Sequence, residues 1–395
     1  MPKQKIYIAD SYSLNTGDIG ILLATIAAIT EKKPDLEIYI EASHPSVLKD
    51  YDLPHRIFPR VFDISHIVGT HSSKTQLMKN CVVGIYDSIS FLLYALLYRL
   101  RIPSLWLIRP SRKEQAQLLK SIDVWLSSGG GFLSSYYKFE LRLYGYWLAI
   151  ILKKPYVIFA QSVGPFFGKF HNYLARVFLN KARLITIREP DSIQYITTLG
   201  LTQQPILTAD IAFLLPFHTA NLPIDIKAKT VAVCVKSGDT NYMRSITGAA
   251  EYLLSKGFGI LYVSQTPNDD TTAKQLAQAT SSSTEYFPFS LDPRTVKGIY
   301  AQCEFIIASR MHAIIFASER GVRWIGIGYE PKFRGLAEQL NETGILIEEK
   351  SLTKASLTQA IDDVLLMPKV HHSRQTSKLL TKSRENISLL VAKAL

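Results

Sequence analysis

The residues able to do chemistry in this chain sit just past short apolar runs. Phe305–Ala308 is followed by Ser309-Arg310-Met311-His312. Arg310 brings a permanently charged fork, and His312, two residues on, a titratable imidazole. Such a pair can hold a phosphorylated or carboxylated ligand and move a proton. It can also be an Arg paired with a carboxylate beside a helix-capping His. A second fork, Arg188, lies in Ile185-Thr186-Ile187-Arg188-Glu189-Pro190-Asp191-Ser192. It suits a bidentate grip on carboxylate or phosphate, or an ion pair with Glu189 or Asp191. Gln161, in Ala160-Gln161-Ser162-Val163-Gly164-Pro165, offers a neutral donor and acceptor, and Lys332 adds a cation after Gly326-Ile327-Gly328. Asp210, in Thr208-Ala209-Asp210-Ile211, reads as a structural acceptor.

Two glycine loops accompany these groups. Asn15-Thr16-Gly17-Asp18-Ile19-Gly20 opens a helix. Asp18 there is either its cap or part of a site for an anion or a sugar hydroxyl. Gly129-Gly130-Gly131 lets the backbone approach a ligand closely, or is only a flexible turn. It is not the dinucleotide fingerprint. The stretch from Gly164 to Lys169 is one residue short of a P-loop, and Phe170 stands where Ser or Thr belongs. No HExxH, GxSxG or clustered Cys/His motif occurs, and neither a metal nor a cofactor is expected.

What must position these groups is an alternation of strands and helices. Lys5–Asp10 reads as a strand and Ile19–Lys32 as a helix, apolar at Ile19, Leu22, Leu23, Ile26 and Ile29. Further strands are predicted at Leu36–Glu41, Ser104–Ile108, Asp123–Ser127, Tyr156–Gln161 and Leu184–Arg188. Helices are predicted at Arg112–Lys120, Phe139–Lys153, Phe170–Lys181 and Ser192–Leu199. The pattern restarts after Pro216–Pro223, with strands at Lys229–Val235, Phe258–Ser264, Phe305–Ala308 and Val322–Ile327. Helices there are read at Met243–Lys256, Thr272–Gln278 and Met311–Arg320. Strands alternating with helices make a parallel sheet covered on both faces. The expectation is an α/β chain of two Rossmann-like domains, 1–215 and 229–368, with a 216–228 linker and a basic helix over 369–395. A cleft is expected at the strand carboxyl ends.

In this order the motifs resemble the polysaccharide pyruvyl transferase family. They are Asn15–Asp18, Gly129–Gly131, Gln161–Pro165, Arg188–Ser192, Ala209–Phe213, Arg310–His312 and Tyr329–Lys332, and the resemblance runs from about residue 10 to 340. One departure is Arg323, where the family often has Pro; it lies away from the motifs. The resemblance implies two Rossmann-like domains in a GT-B-like arrangement. It also implies transfer of the enolpyruvyl part of phosphoenolpyruvate onto sugar hydroxyls as a pyruvate ketal. Arg188 and Arg310 then bind the donor with Gln161 and Lys332. His312 is the expected acid, and Asp18 the expected base or acceptor-positioning group. Asn15, Gly17, Gly130 and Gly131 are expected at the acceptor. Two rival readings are a GT-B glycosyltransferase using a nucleotide sugar and a non-catalytic glycan-binding protein.

Composition limits the partners. The 395 residues are 47% hydrophobic and 20% charged, which excludes a disordered chain. A net charge of +12 points to anions, a membrane surface or nucleic acid, and no nucleic-acid recognition motif accompanies it. Cys81, Cys234 and Cys303 are far apart, as reduced thiols of a cytoplasmic protein would be, and no signal peptide is read. No run of about 20 uninterrupted apolar residues is seen, so no spanning helix is expected. The apolar run Phe91–Tyr98 precedes Arg99, Arg101 and Trp106. It fits either docking on an anionic bilayer, where a polyprenyl-linked sugar would be met, or a buried helix with a basic rim.

Overall fold

Parallel strands need crossovers, and crossovers bring every strand's carboxyl end to the same edge of a sheet. The structure, a computed structural model, describes residues 3–62, 74–137, 139–218, 222–280, 284–289, 292–340, 342–369 and 373–395. The chain forms two compact units. The first contains Met1–Ser13, Ala28–Thr208 and Glu385–Leu395, and the second Leu14–Ala27 and Ala209–Arg384.

The first unit is built on β1 (Lys5–Ser11), β2 (Glu37–Ala42), β3 (Arg56–Pro59), β4 (Val124–Ser127), β5 (Gly130–Leu133), β6 (Tyr156–Val163), β7 (Leu184–Ile187) and β8 (Ile206–Leu207). All pair in parallel, in the order β3-β2-β1-β4-β6-β7-β8, with β5 beside β6. The crossover helices are α1 (Thr16–Lys32), whose first turns belong to the second unit, then α2 (Lys74–Arg99), α3 (Lys113–Ser121), α4 (Leu143–Ile151), α5 (Gly168–Leu179) and α6 (Pro190–Thr197).

The second unit has β9 (Thr230–Cys234), β10 (Gly259–Val263), β11 (Glu285–Phe287), β12 (Phe305–Ala308), β13 (Arg323–Gly328) and β14 (Gly344–Glu348). Their parallel order is β11-β10-β9-β12-β13-β14. That is the doubly wound 3-2-1-4-5-6 order. The connecting helices are α7 (Thr240–Ser255), α8 (Pro267–Thr280), α9 (Pro293–Tyr300), α10 (Met311–Glu319), α11 (Pro331–Gln339) and α12 (Lys354–Leu366). The last helix, α13 (Arg374–Lys393), starts in this unit and ends in the first. There Asn386 accepts a bond from Thr208 Oγ1, and the Leu395 carbonyl accepts one from Gln4.

Two expectations change. Ser104–Ile108 is not a strand; Leu105–Leu107 is a 3₁₀ turn. Pro103 and Pro110 bracket it, and Trp106 stands 73% exposed, which a doubly covered parallel strand would not allow. The apolar run Phe91–Tyr98 is the end of the 26-residue helix α2. Within it Met78–Arg99 is long and apolar enough to cross a bilayer by length and composition, with one third of its most apolar window buried. Asp87, Ser88 and Ser90 interrupt the Met78–Arg99 segment, and all three are buried. Of the linker read at Pro216–Pro223, residues 219–221 lie outside the described residues.

A buried ionic group ties the carboxyl ends of β1 to β3 together. Arg60 donates to the carbonyls of Asp10 and Ser11, and Arg112 to those of Pro59 and Arg60. Glu41 accepts the Val61 N–H at 2.7 Å. Burial, reinforced by Asp10, pushes the Glu41 carboxyl up to about 7. The folded chain therefore keeps this proton in a range where the unfolded chain has lost it. This group's contribution to stability falls as pH rises from the ordinary carboxylate range through about 7. Glu41→Gln should remove that decline. Urea unfolding at pH 5 and pH 8 should show the variant gaining on the wild type at the higher pH, and equal differences at both would contradict the assignment.

Candidate functional site

In an open α/β sheet, ligands meet the strand carboxyl ends where the strand order reverses. In the second unit the reversal lies between β9 and β12. Lys236 follows β9, and Ser309–His312 follow β12. Arg310 is the extended N-cap residue of α10, φ −126°, and its side chain makes no capping bond. Its Nε donates to Asp269 Oδ2 at 3.0 Å and its Nη2 to Oδ1 at 2.5 Å. Nη1 reaches the Tyr329 hydroxyl at 3.4 Å. Asp269 is fully buried. Burial works against the Arg310 charge, but the bonds and field of Asp269 outweigh it and hold the guanidinium above its ordinary pKa. Carboxylate pairing is thus the observed state of this Arg, with one edge of the fork committed.

His312 lies in the first turn of α10, nearly buried. Its Nε2 is 3.5 Å from Asp210 Oδ2 and makes no hydrogen bond among the described residues. Asp210 is itself fixed, because its Oδ1 accepts the Ala212 N–H at 2.9 Å. The other side of the ring faces α1. A Cβ at Gly17 would lie 2.2 Å from His312 Nδ1, so only a glycine lets the helix and the imidazole approach this closely. Asn15 Oδ1 accepts the Gly17 N–H at 2.8 Å, and Thr16 N donates to the Gln265 carbonyl. The structure therefore brings Asn15, Gly17, Asp210 and His312 together. Asp18 is half-buried in the first turn of α1. Lys332, in the first turn of α11, pairs with Glu330 at 2.6 Å.

In the first unit the order reverses between β1 and β4. Gln161 Nε2 donates to Ser127 Oγ at 2.8 Å and to the Ser128 carbonyl at 2.6 Å. Ser127 Oγ donates to Asp10 at 2.8 Å and lies 2.8 Å from the Tyr146 hydroxyl. The Gln161 Oε1 is buried without a hydrogen bond among the described residues. Arg188 Nε donates to Ser162 Oγ at 2.7 Å and to Glu189 at 3.2 Å. Its Nη2 passes 3.5 Å from the Cβ position of Gly131. The ion pair with Glu189 is the partnership left open by the sequence; Ser192 in turn donates to Glu189 at 2.8 Å. Gly130 has φ +156° and a Phe132 ring atom 2.9 Å from its Cβ position, so it turns the chain where a side chain would not fit. Gln161, Arg188 and Gly131 thus form one group on this unit.

Two backbone kinks aim these groups. Asp10 has φ +66° and Ala160 φ +47°, at the bulges of β1 and β6. An alanine in this region is strained and persists only when its surroundings enforce it. The Thr186 hydroxyl accepts the Ala160 N–H at 2.7 Å. Sequence reading missed Asp269 and Lys236. Asp269 was signalled by Gln265-Thr266-Pro267-Asn268-Asp269, which leaves the carboxyl end of β10 as the other motifs leave theirs. Lys236 lies 5.1 Å from the Tyr242 ring centre and 5.2 Å from that of Tyr329, and pairs with Glu349.

Residues 15–331 match the family model described as polysaccharide pyruvyl transferase. The chain belongs to the polysaccharide pyruvyl transferase family. The match spans the Asn15–Asp18 loop, both arginine motifs and His312. A curated relative, the amylovoran biosynthesis protein AmsJ of Erwinia amylovora, is 23% identical over 387 residues, covering 89% of each chain. Among solved structures, the UDP-GlcNAc 2-epimerase of Methanocaldococcus jannaschii superposes with a TM-score of 0.60 at 13% identity, over 99% of each chain. A glycosyltransferase of Rickettsia africae gives 0.55 at 12%, over 100% of this chain and 95% of that one. At such identities the likeness is one of fold: a two-domain parallel α/β fold of the GT-B glycosyltransferase and UDP-GlcNAc 2-epimerase kind. For this pyruvyl transferase family member, Gly17→Ala should push the His312 ring aside. Turnover should fall about 10²-fold, as displacements near 1 Å commonly cause. A variant with wild-type kcat would show that the Gly17–His312 approach does not position the ring.

Proposed function

We propose that the chain transfers the enolpyruvyl part of phosphoenolpyruvate onto two hydroxyls of a sugar, in a polysaccharide or a lipid-linked precursor of one. The product is a pyruvate ketal, and phosphate is released. One observation carries this reading. In a member of this family, an Arg oriented by a buried Asp stands two residues from a His backed by a second Asp. The donor carries a carboxylate and a phosphate, and guanidinium groups at Arg310 and Arg188 suit both. An imidazolium at His312 would deliver a proton to the methylene carbon. That leaves an oxocarbenium-like centre to be attacked by a hydroxyl oxygen. The C–O bond to phosphate then breaks, and a second hydroxyl closes the ketal; each hydroxyl gives up its proton. Asp18 is the proposed base or acceptor-positioning group. The amylovoran relative supports an exopolysaccharide as the setting.

The direct test is phosphate release from phosphoenolpyruvate across a panel of free and lipid-linked glycosides. Melting-temperature protection by a nucleoside diphosphate but not by phosphoenolpyruvate would instead favour nucleotide-sugar chemistry. His312→Ala should lower kcat by about 10² to 10⁴-fold, the usual contribution of a proton-transfer group. Phosphoenolpyruvate affinity by calorimetry should change little. Equal losses in both would make His312 a binding group. Arg310→Lys should lose most kcat/KM although the charge remains. An ammonium cannot hold both oxygens of Asp269 and still present a directed N–H outward. Retention of wild-type kcat/KM would refute the directed role of this fork.

A further inference from the structure

Helix α2 is anchored along one side only. Asp87 accepts two bonds from Arg109, at 2.6 and 2.5 Å, and lies 3.6 Å from Arg112. The Ser88 carbonyl accepts the Tyr144 hydroxyl at 2.5 Å, and Phe91, Tyr94 and Ala95 belong to the core of the first unit. The opposite side is apolar and exposed. Met78, Val82, Ile85, Ile89, Leu93 and Leu96 are between 43% and 70% exposed. At about 100° per residue these six fall within an arc of about 80°, and they run along roughly 27 Å of helix. Asp87 falls on the far side of that arc. Beyond the helix end, Leu100, Ile102 and Trp106 continue the apolar exposure.

Charge tells what covers this face. Asp87 is the only acidic residue between Lys74 and Trp106, and it is buried. Exposed Lys79, Arg99 and Arg101 stand near the ends of the stripe. Lys120 lies 4.9 Å from the ring centre of Tyr98. A second copy of the chain set antiparallel on this stripe would bring Arg99 and Arg101 toward Lys79, with no exposed carboxylate in the stretch to neutralise them. An anionic bilayer supplies both the apolar medium and the counter-charge, and exposed Tyr86, Tyr98 and Trp106 suit the headgroup boundary. Crossing the bilayer would strip Asp87 and Ser88 of their partners, so a flat seat fits the helix better than a span.

We infer that α2 is a membrane-docking helix. It lies in the interface of an anionic bilayer on the Met78–Leu96 stripe, with Trp106 beside it and its buried side still held to the protein. This inference goes beyond the pyruvyl-transfer reading and needs no donor or acceptor. The stripe also divides the apolar run Phe91–Tyr98: Leu96 is exposed, but Leu97 is half-buried.

The test is flotation of the full-length protein with vesicles of phosphatidylcholine, alone and mixed with phosphatidylglycerol. The wild type should float with the mixed vesicles, and less so at ~0.5 M salt, where charge attraction is screened. Ile85→Glu with Ile89→Glu should cut partitioning about tenfold or more. These side chains are exposed, so circular dichroism and melting should match the wild type. Arg99→Glu with Arg101→Glu should remove the preference for the anionic vesicles. Addition of mixed vesicles should shift tryptophan emission to the blue, and Trp106→Phe should abolish the shift. A folded wild type that stays unbound at low salt would overturn the inference, as would undiminished flotation of the Ile85/Ile89 variant. So would a solution dimer that the same variant dissociates while vesicles stay bare, because the cover would then be a second copy. Phosphate release from phosphoenolpyruvate with a water-soluble glycoside, run on the same preparations, separates the two readings. Release without flotation removes only the docking, and flotation without release only the transfer chemistry.

Discussion

The constraint on which this molecule depends is the parallel pairing of its strands. Every strand must be re-entered from the same end, so each crossover starts at one edge of its sheet. The groups fit for chemistry stand at or next to that edge. Arg310 and His312 follow β12, Asp269 follows β10, Gln161 and Ser162 end β6, and Arg188 follows β7. The helices that open there put backbone N–H groups at the same edge. Two arginines and a histidine thus reach the strand ends through the wiring of the sheets, with no long ordered loop to hold them.

The second constraint is steric. Asp210 orients toward His312 because its other oxygen is fixed by the turn it caps, and the imidazole is confined from the far side by the bare Cα of Gly17. A ring held between a carboxylate and a helix has few rotamers left, which favours a single geometry over many. In the first unit the same purpose is served by backbone strain. Ala160 adopts a left-handed conformation so that Gln161 turns toward Ser127 and Ser128. Strain of this sort, in a buried strand, is commonly kept where direction matters more than stability.

Much of this was legible in the sequence. The alternation of apolar runs with amphipathic segments predicts the parallel sheets, and the loops with Arg188, Arg310 and His312 were visible as polar residues directly after such runs. What was hidden depends on three-dimensional partnership. Nothing near Arg310 in sequence names Asp269, which lies 41 residues earlier, and only the neighbouring positions of β10 and β12 around β9 bring them together. The positive φ of Ala160 carries no residue-type signal at all. The Leu105–Leu107 segment shows the opposite failure: its composition suits a strand, but its flanking prolines deny it a ladder. In α2 the apolar residues were plain, while the division into a held side and a bare side needed the position of Asp87.

The carboxylate partners of the two arginines have a consequence of their own. Arg188 is paired with Glu189 and Arg310 with Asp269, all four groups being buried or largely so. Each arginine therefore contributes direction without contributing much net charge. An anion bound at either one would meet fixed N–H vectors and little long-range pull. Selection at such a group would rest on the outline of the ligand's oxygens. Small inorganic anions of equal charge but different shape would compete poorly, and binding there would be less sensitive to ionic strength than the total of 45 Lys and Arg residues suggests.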